Sequence, residues 1–274
     1  MLGQRTRSDS DRGGVVSTAR LSLHQFSFDL RAFLRNGQSR FFTLALPVLF
    51  LVIFASVFGG SHTVKVSGGR IPTSVSYVPG IMTLGIIAAA FINLVISVTA
   101  QRETGILKRR RATPVPASAI IAGRSLTAVV TALWITVVLL VIGWAAYGAN
   151  VPARTAPALA VTVVIGTVSF CCLGYALASF IHNEDAAQPI TQALVLPLYF
   201  ISGVFVAISI LPHWLVEVAS VFPVRHLAAA LLIAYNPHTR GAGFSGVDLL
   251  IVAAWGLGGL IIALRRFSWL PIGR

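Results

Sequence analysis

Six apolar runs, each about as long as a bilayer is thick, fix what this chain can become. They fall near residues 41–59, 79–100, 121–147, 158–181, 189–211 and 247–264, and each is bounded by charge, proline or glycine. A helix needs about 20 apolar residues to cross the hydrocarbon layer. It is also one of the two backbone conformations that satisfy their own polar groups there. The sequence between the runs is too short and too apolar for a soluble domain: only 11% of the 274 residues are charged and 56% are hydrophobic, whereas soluble domains carry about 25% charge. The expected fold class is therefore all-α integral membrane, with a single six-span domain over residues 38–274.

The first run is read as a permanent span, because about 40 residues with seven arginines precede it and no small-residue cleavage site follows. Orientation comes from the basic residues, which collect on the cytoplasmic side. With the N-terminus inside, residues 1–40, 101–124, 182–188 and 265–274 are cytoplasmic and hold sixteen of the twenty-one Lys and Arg residues. The other five, Lys65, Arg70, Arg154, Arg225 and Arg240, fall outside. Both termini are then cytoplasmic, and the net charge of +13 reflects this asymmetry, with no call for nucleic acid as a partner.

Residues 1–19 read as a disordered cytoplasmic tail and 20–37 as an amphipathic interfacial helix. Leu23, Phe26, Leu30, Phe33 and Leu34 recur at helical spacing, Gln25, Arg31 and Arg35 occupy another face, and Asn36-Gly37 ends the segment. It anchors the N-terminus, or anchors it and touches a partner. Cys171 and Cys172 are adjacent, a poor geometry for a disulfide, and the six histidines show no metal spacing. His213 beside Trp214 reads as interfacial.

Residues 101–118, QRETGILKRRRATPVPAS, carry five of the basic residues. Arg102 to Arg111 is free of proline and suits a short helix below the membrane, until Pro114 and Pro116 force the chain extended. Lys108 to Arg111 read either as contacts to anionic lipid or as part of a partner surface. Glu103 fits a lipid anchor poorly: its i+4 neighbour is Leu107, so its helix offers it no ideal partner.

The run RETGILKRRRATPVP resembles the cytoplasmic loop of ABC type-2 transporter permeases, in which Arg-Glu-x-Gly-x-Leu leads a basic or polar helix and then Thr-Pro-x-Pro. PLYFISGVFVAISILPHWL at 197–215 is similar to the fifth span of daunorubicin-type multidrug-export permeases, and LPVLFLVIF after the amphipathic helix also fits. The resemblance covers about residues 20–264. It implies a coupling helix between spans 2 and 3 that docks on a cytoplasmic ATPase, with Arg102, Glu103, Gly105, Leu107, Thr113 and Pro114 matching the pattern. It also implies two copies of that ATPase, which binds the ATP and Mg, a second permease (identical or related), and export across a bacterial plasma membrane. The cluster Arg109 to Arg111 is more basic than the pattern.

The residues agree with an external energy source. A phosphate-binding loop needs Gly-Lys-Ser/Thr, and the only lysines are Lys65 after Val64 and Lys108 after Leu107. This chain is therefore expected to be no enzyme and to hold no cofactor or metal. Ion-driven transporters carry ionisable groups deep in their spans, and none stands away from the ends of these six runs. Asn93, Thr191, Gln192 and Tyr199 are the candidates for a substrate pathway, with helix packing as the alternative for the polar ones. The acids Glu103, Glu184, Asp185, Glu217 and Asp248 all lie in loops or at span ends, and no Ser, His and acid fall together in sequence as a hydrolase triad would invite. The loop 182–188, HNEDAAQ, reads as a solvated turn, or as a second partner contact.

Between spans 5 and 6, PHWLVEVASVF and PVRHLAAALLIAY each begin with proline and are too short to span, so they read as re-entrant or interfacial half-helices. They form a gate or a packed cap. The function expected is that of a permease subunit exporting a hydrophobic drug, antibiotic or lipid. The alternative is a membrane-anchored assembly or signalling protein that transports nothing.

Overall fold

The computed structural model describes residues 26–266, apart from 29, 32, 33, 36, 38–40, 61, 62, 67, 105–116, 149 and 207. The expected tail at 1–19, the candidate residues Gly105, Leu107, Thr113 and Pro114, and the basic cluster Lys108 to Arg111 lie outside the described residues. Of the expected amphipathic helix, residues 26–28, 30, 31, 34, 35 and 37 are helical, and Phe28 and Leu34 are exposed.

The described chain is nearly all helix. A π-helical turn, Phe41–Ala45, leads into α1 (Leu46–Phe58); strands β1 (Thr63–Val66) and β2 (Gly69–Pro72) follow, then α2 (Thr73–Ile87), a second π-turn (Ala88–Ile92) and α3 (Asn93–Glu103). After these come α4 (Ala117–Tyr147), α5 (Ala156–Ala178), α6 (Glu184–Ile201), α7 (His213–Val221), α8 (Pro223–Tyr235) and α9 (Gly246–Arg266).

Among the described residues, four helices are long and apolar enough to cross a membrane: Thr73–Glu103, Ala122–Tyr147, Ala156–Ala178 and Gly246–Arg266. Counting the bent pair α7 and α8 as one broken span makes five. The expectation of six differs at two places, for physical reasons. The helix Thr43–Phe58 is apolar but shorter than these four, and only with the whole π-turn from Phe41 does it approach the length of a span. The run 189–211 is not one helix, because α6 ends at Ile201 and the chain turns through Ser202 and Gly203, whose φ of 85° suits glycine alone. Two prolines lie inside α6 itself, Pro189 and Pro197.

The α2–π-turn–α3 rod is the centre of the bundle and mostly buried, whereas α9 is a peripheral helix with most of its apolar stretch exposed. Val78, Ile81, Met82, Ile86 and Ile87 on the rod are fully enclosed with Leu51 of α1, Leu139 of α4 and Leu227 and Leu231 of α8. Small residues let the neighbours in. A Cβ on Gly85 would stand 2.8 Å from the Ile135 side chain of α4, and one on Gly174 of α5 would stand 3.3 Å from the Phe91 carbonyl oxygen. In hydrocarbon, such close backbone approach provides the packing that a hydrophobic effect between helices cannot. The densest seam joins α5 to α9, where Gly256 and Gly259 lie directly on the backbone at Ser169 and at Cys172 and Leu173.

At the end of the bundle away from Glu103, the connections knit into a layer. The β1–β2 hairpin pairs antiparallel with Lys65 opposite Arg70, and Gly68 (φ 86°) and Gly69 lie against His238. Nη2 of Arg154 donates to the carbonyls of Pro237 (3.0 Å) and Thr239 (2.8 Å). The helices α7 and α8, which begin after Pro212 and at Pro223 as their sequences suggest, meet at an angle of 98°.

Candidate coupling site

Arg102 and Glu103 close the central rod, and their side chains diverge. Arg102 is 3% exposed. Its Nη1 donates to the carbonyl of Ala178 at 3.0 Å and its Nη2 to that of Ile181. Those carbonyls belong to the C-terminus of α5 and the turn after it, where a helix runs out of amide donors and carries partial negative charge. A guanidinium, with two parallel N–H forks, suits that site better than an ammonium. Glu103 does the converse. Its Oε2 accepts the backbone N–H of Glu184, the first residue of α6, at 2.6 Å, where orphan amides and the positive end of the helix favour an anion.

The turn between these two contacts is built to be held. Ser179 returns its hydroxyl to the Ala176 carbonyl at 2.6 Å, and Asn183 caps α6 by accepting from the Ala186 amide at 3.3 Å. Beneath them Val95 of α3, Ile181 and Ala187 of α6 form a small apolar cluster, joined by Ile96, Leu177 and Ala186. The segment 182–188 is thus the first turn of α6 and its cap, more structured than a solvated loop. The partner of Glu103 among the described residues lies 81 residues away.

The four pathway candidates do not converge. Asn93 donates its amide to the Thr43 hydroxyl at 3.0 Å, tying the rod to the π-turn before α1. Thr191 is fully buried and bonds back to the Ala187 carbonyl, while Gln192 on the next position of α6 faces outward. Tyr199 is buried and edge-on to Phe205, which itself stacks on Phe54 at 5.1 Å; the hydroxyls of Tyr199 and Ser202 have no hydrogen-bond partner among the described residues. Thr191 and Tyr199 therefore share the inner face of α6, and Asn93 and Gln192 stand apart from it.

One polar constellation escaped the sequence. His226 of α8 places Nδ1 at 2.7 Å from Asp248 Oδ1 and Nε2 at 2.8 Å from the Ser220 carbonyl, and the Ser245 hydroxyl donates to the other Asp248 oxygen. The Trp255 indole N–H donates to the Val221 carbonyl at 3.0 Å, and its ring stacks on Phe222. The histidine and the indole thus take the last carbonyls of α7, holding the 98° corner to the final helix. It is no hydrolase triad, since the serine turns to the acid and not to the imidazole. The signal was the acid three residues after Ser245, a helix-start pattern; its histidine partner carries no mark. Among the described residues, no group of His, Cys, Asp or Glu is placed to hold a metal ion.

Compared with known proteins, the sequence matches the model of the ABC-2 type transporter family over residues 26–236. No curated protein matches.

Proposed function

Given that the chain belongs to the ABC-2 type transporter family, matched from residue 26 to 236 and so across every helix from α1 to α8, we propose that it exports a hydrophobic drug, antibiotic or lipid-like substrate using ATP hydrolysed by a separate subunit. It is a permease component of an ABC transporter and a multi-pass membrane protein. The family match carries the reading. Permeases of this family work with an ATPase, and the Arg102–Glu103 pair standing directly before the basic segment 105–116 supports that segment as the docking element. We take Gly105, Leu107, Thr113 and Pro114 as its contact residues, two ATPase copies as its partners, and a second permease as completing the pathway.

In this reading the chain crosses six times, with the π-turn plus α1 and α6 joining the four long helices, and α7 and α8 lie at the outer surface. The N-terminal tail, the interfacial helix at 20–37 and the transmembrane domain at 38–274 divide the chain. An apolar lining suits an apolar substrate.

Affinity purification of the chain from its own membranes is expected to bring down a subunit with a phosphate-binding loop, and the complex is expected to hydrolyse ATP. An intact, folded chain that captures no ATPase leaves the assembly or signalling reading in its place. Topology gives an independent check, resting on the sixteen-to-five division of basic residues. In a Cys171→Ser, Cys172→Ser background, cysteines at Ser61 and Gly243 are expected to react with an impermeant thiol reagent from outside, and one at Ala112 only after the membrane is opened. Outside labelling at Ala112 reverses the orientation.

A further inference from the structure

We propose that Arg102 and Glu103 are positioning residues: together they clamp the α5–α6 turn to the end of the central rod, so that a shift of the rod's end is delivered to α6. The inference rests on the permease reading and adds the route by which a docking event reaches a membrane helix.

Three features carry it. Opposite charges on adjacent residues are matched to opposite helix ends: the guanidinium holds the carbonyls of Ala178 and Ile181 at the end of α5, and the carboxylate holds the Glu184 amide at the start of α6. Each contact is favourable with the local partial charge, and exchanging the two residues would make both repulsive. Next, the pair differs in burial. Arg102 is enclosed, whereas Glu103 and Glu184 are exposed, so one contact is a fixed pivot and the other a link at the surface. Finally, the apolar cluster of Val95, Ile181 and Ala187 lies between the rod and α6 and gives the clamp a packed footing. A packed footing transmits a shift as a rigid body because interiors are close-packed and do not deform continuously.

This geometry separates two roles for Glu103. As a direct partner contact it acts through its charge toward a basic patch on the ATPase. As a clamp it acts as a hydrogen-bond acceptor toward a backbone amide, a task that glutamine also performs with its carbonyl oxygen. Arg102 is buried, so it reaches a partner only by leaving the carbonyls of Ala178 and Ile181.

The test uses the complex of the full chain with its captured ATPase, in lipid nanodiscs, with an environment-sensitive fluorophore on a Gln188→Cys variant lacking Cys171 and Cys172. Gln188 is exposed on α6, one turn from Glu184. Adding MgATP is expected to change the fluorescence. Glu103→Ala is expected to cut the amplitude about tenfold, the weight of one charge-assisted hydrogen bond, while the dissociation constant for the ATPase stays within about twofold. Glu103→Gln is expected to restore most of the amplitude. Arg102→Ala is expected to abolish it, and because that variant opens a buried site, the exposed Glu103 series decides the matter. An alanine variant with full amplitude, a glutamine variant as impaired as alanine, or a weakened ATPase contact in either overturns the clamp while leaving the permease reading standing. A parent chain that binds no ATPase overturns both.

Discussion

Gly256→Leu is expected to split α9 from α5 and to remove most of the folded protein from the membrane. A bare Cβ at this position already stands 2.7 Å from the Cα of Ser169, and at Gly259 it stands 2.9 Å from the Leu173 amide nitrogen. Both obstacles are backbone, which cannot rotate aside as a side chain tip does. Overpacking of this kind costs about 1–3 kcal/mol for one methyl-sized group, and a leucine adds three further carbons to the same collision. Apart from the contacts of Asp248 and Trp255 with α7 and α8, the outer face of α9 is exposed along Val247, Leu250, Leu257, Ile261 and Leu264. Gly256→Ala should lower the thermal unfolding temperature in detergent and Gly256→Leu should lower the yield of monodisperse protein as well. Gly258→Ala is the control, since nothing lies within 4 Å of an added Cβ there. Its expected effect is neutral or slightly stabilising, because alanine favours helix over glycine by about 1 kcal/mol. Equal damage from Gly258→Ala and Gly256→Ala would mean that the seam is not where the stability lies.

The apolar runs made the long helices legible, because bilayer length and backbone self-satisfaction leave a sequence few choices. The two half-helices were legible from Pro212 and Pro223, which sit where a helix begins. What the runs concealed was interruption. The break at Ser202 and Gly203 lies inside an unbroken apolar stretch, so hydropathy passes over it and only the glycine hints at it. The hairpin at 63–72 carries a short signal of its own, with Val64 and Val66 leading to the Gly68-Gly69 turn. The Arg102–Glu103 dipeptide could be singled out, but its contacts could not. Its partners are backbone carbonyls and an amide 76 to 81 residues away, and backbone groups leave no imprint on the sequence. The same holds for His226, whose acid lies 22 residues on, across a loop.

Transport is expected to run on ATP hydrolysed by another chain and to ignore ion gradients. Proton and sodium carriers need groups that change charge or coordinate the ion near the middle of the membrane. Among the described residues, the ionisable side chains on helices stand within a few turns of an end. Arg102 is bound to carbonyls at one end of the bundle, and His226 with Asp248 closes a corner at the other. Several interior threonines return their hydroxyls to their own helix, Thr83 to Pro79, Thr136 to Ala132 and Thr162 to Ala158. A hydroxyl engaged in this way is a poor relay. Sodium can also be held by carbonyls freed at a broken helix, and Pro189 and Pro197 in α6 make that the alternative to exclude. Proteoliposomes holding this chain alone are therefore expected to show no substrate movement under an imposed proton or sodium gradient, while the chain with its ATPase and MgATP drives it. A vanadate-sensitive signal with ATPase present completes the expected pattern. Movement driven by a sodium gradient in the chain alone places the energy source in α6 and removes the ATPase from the mechanism.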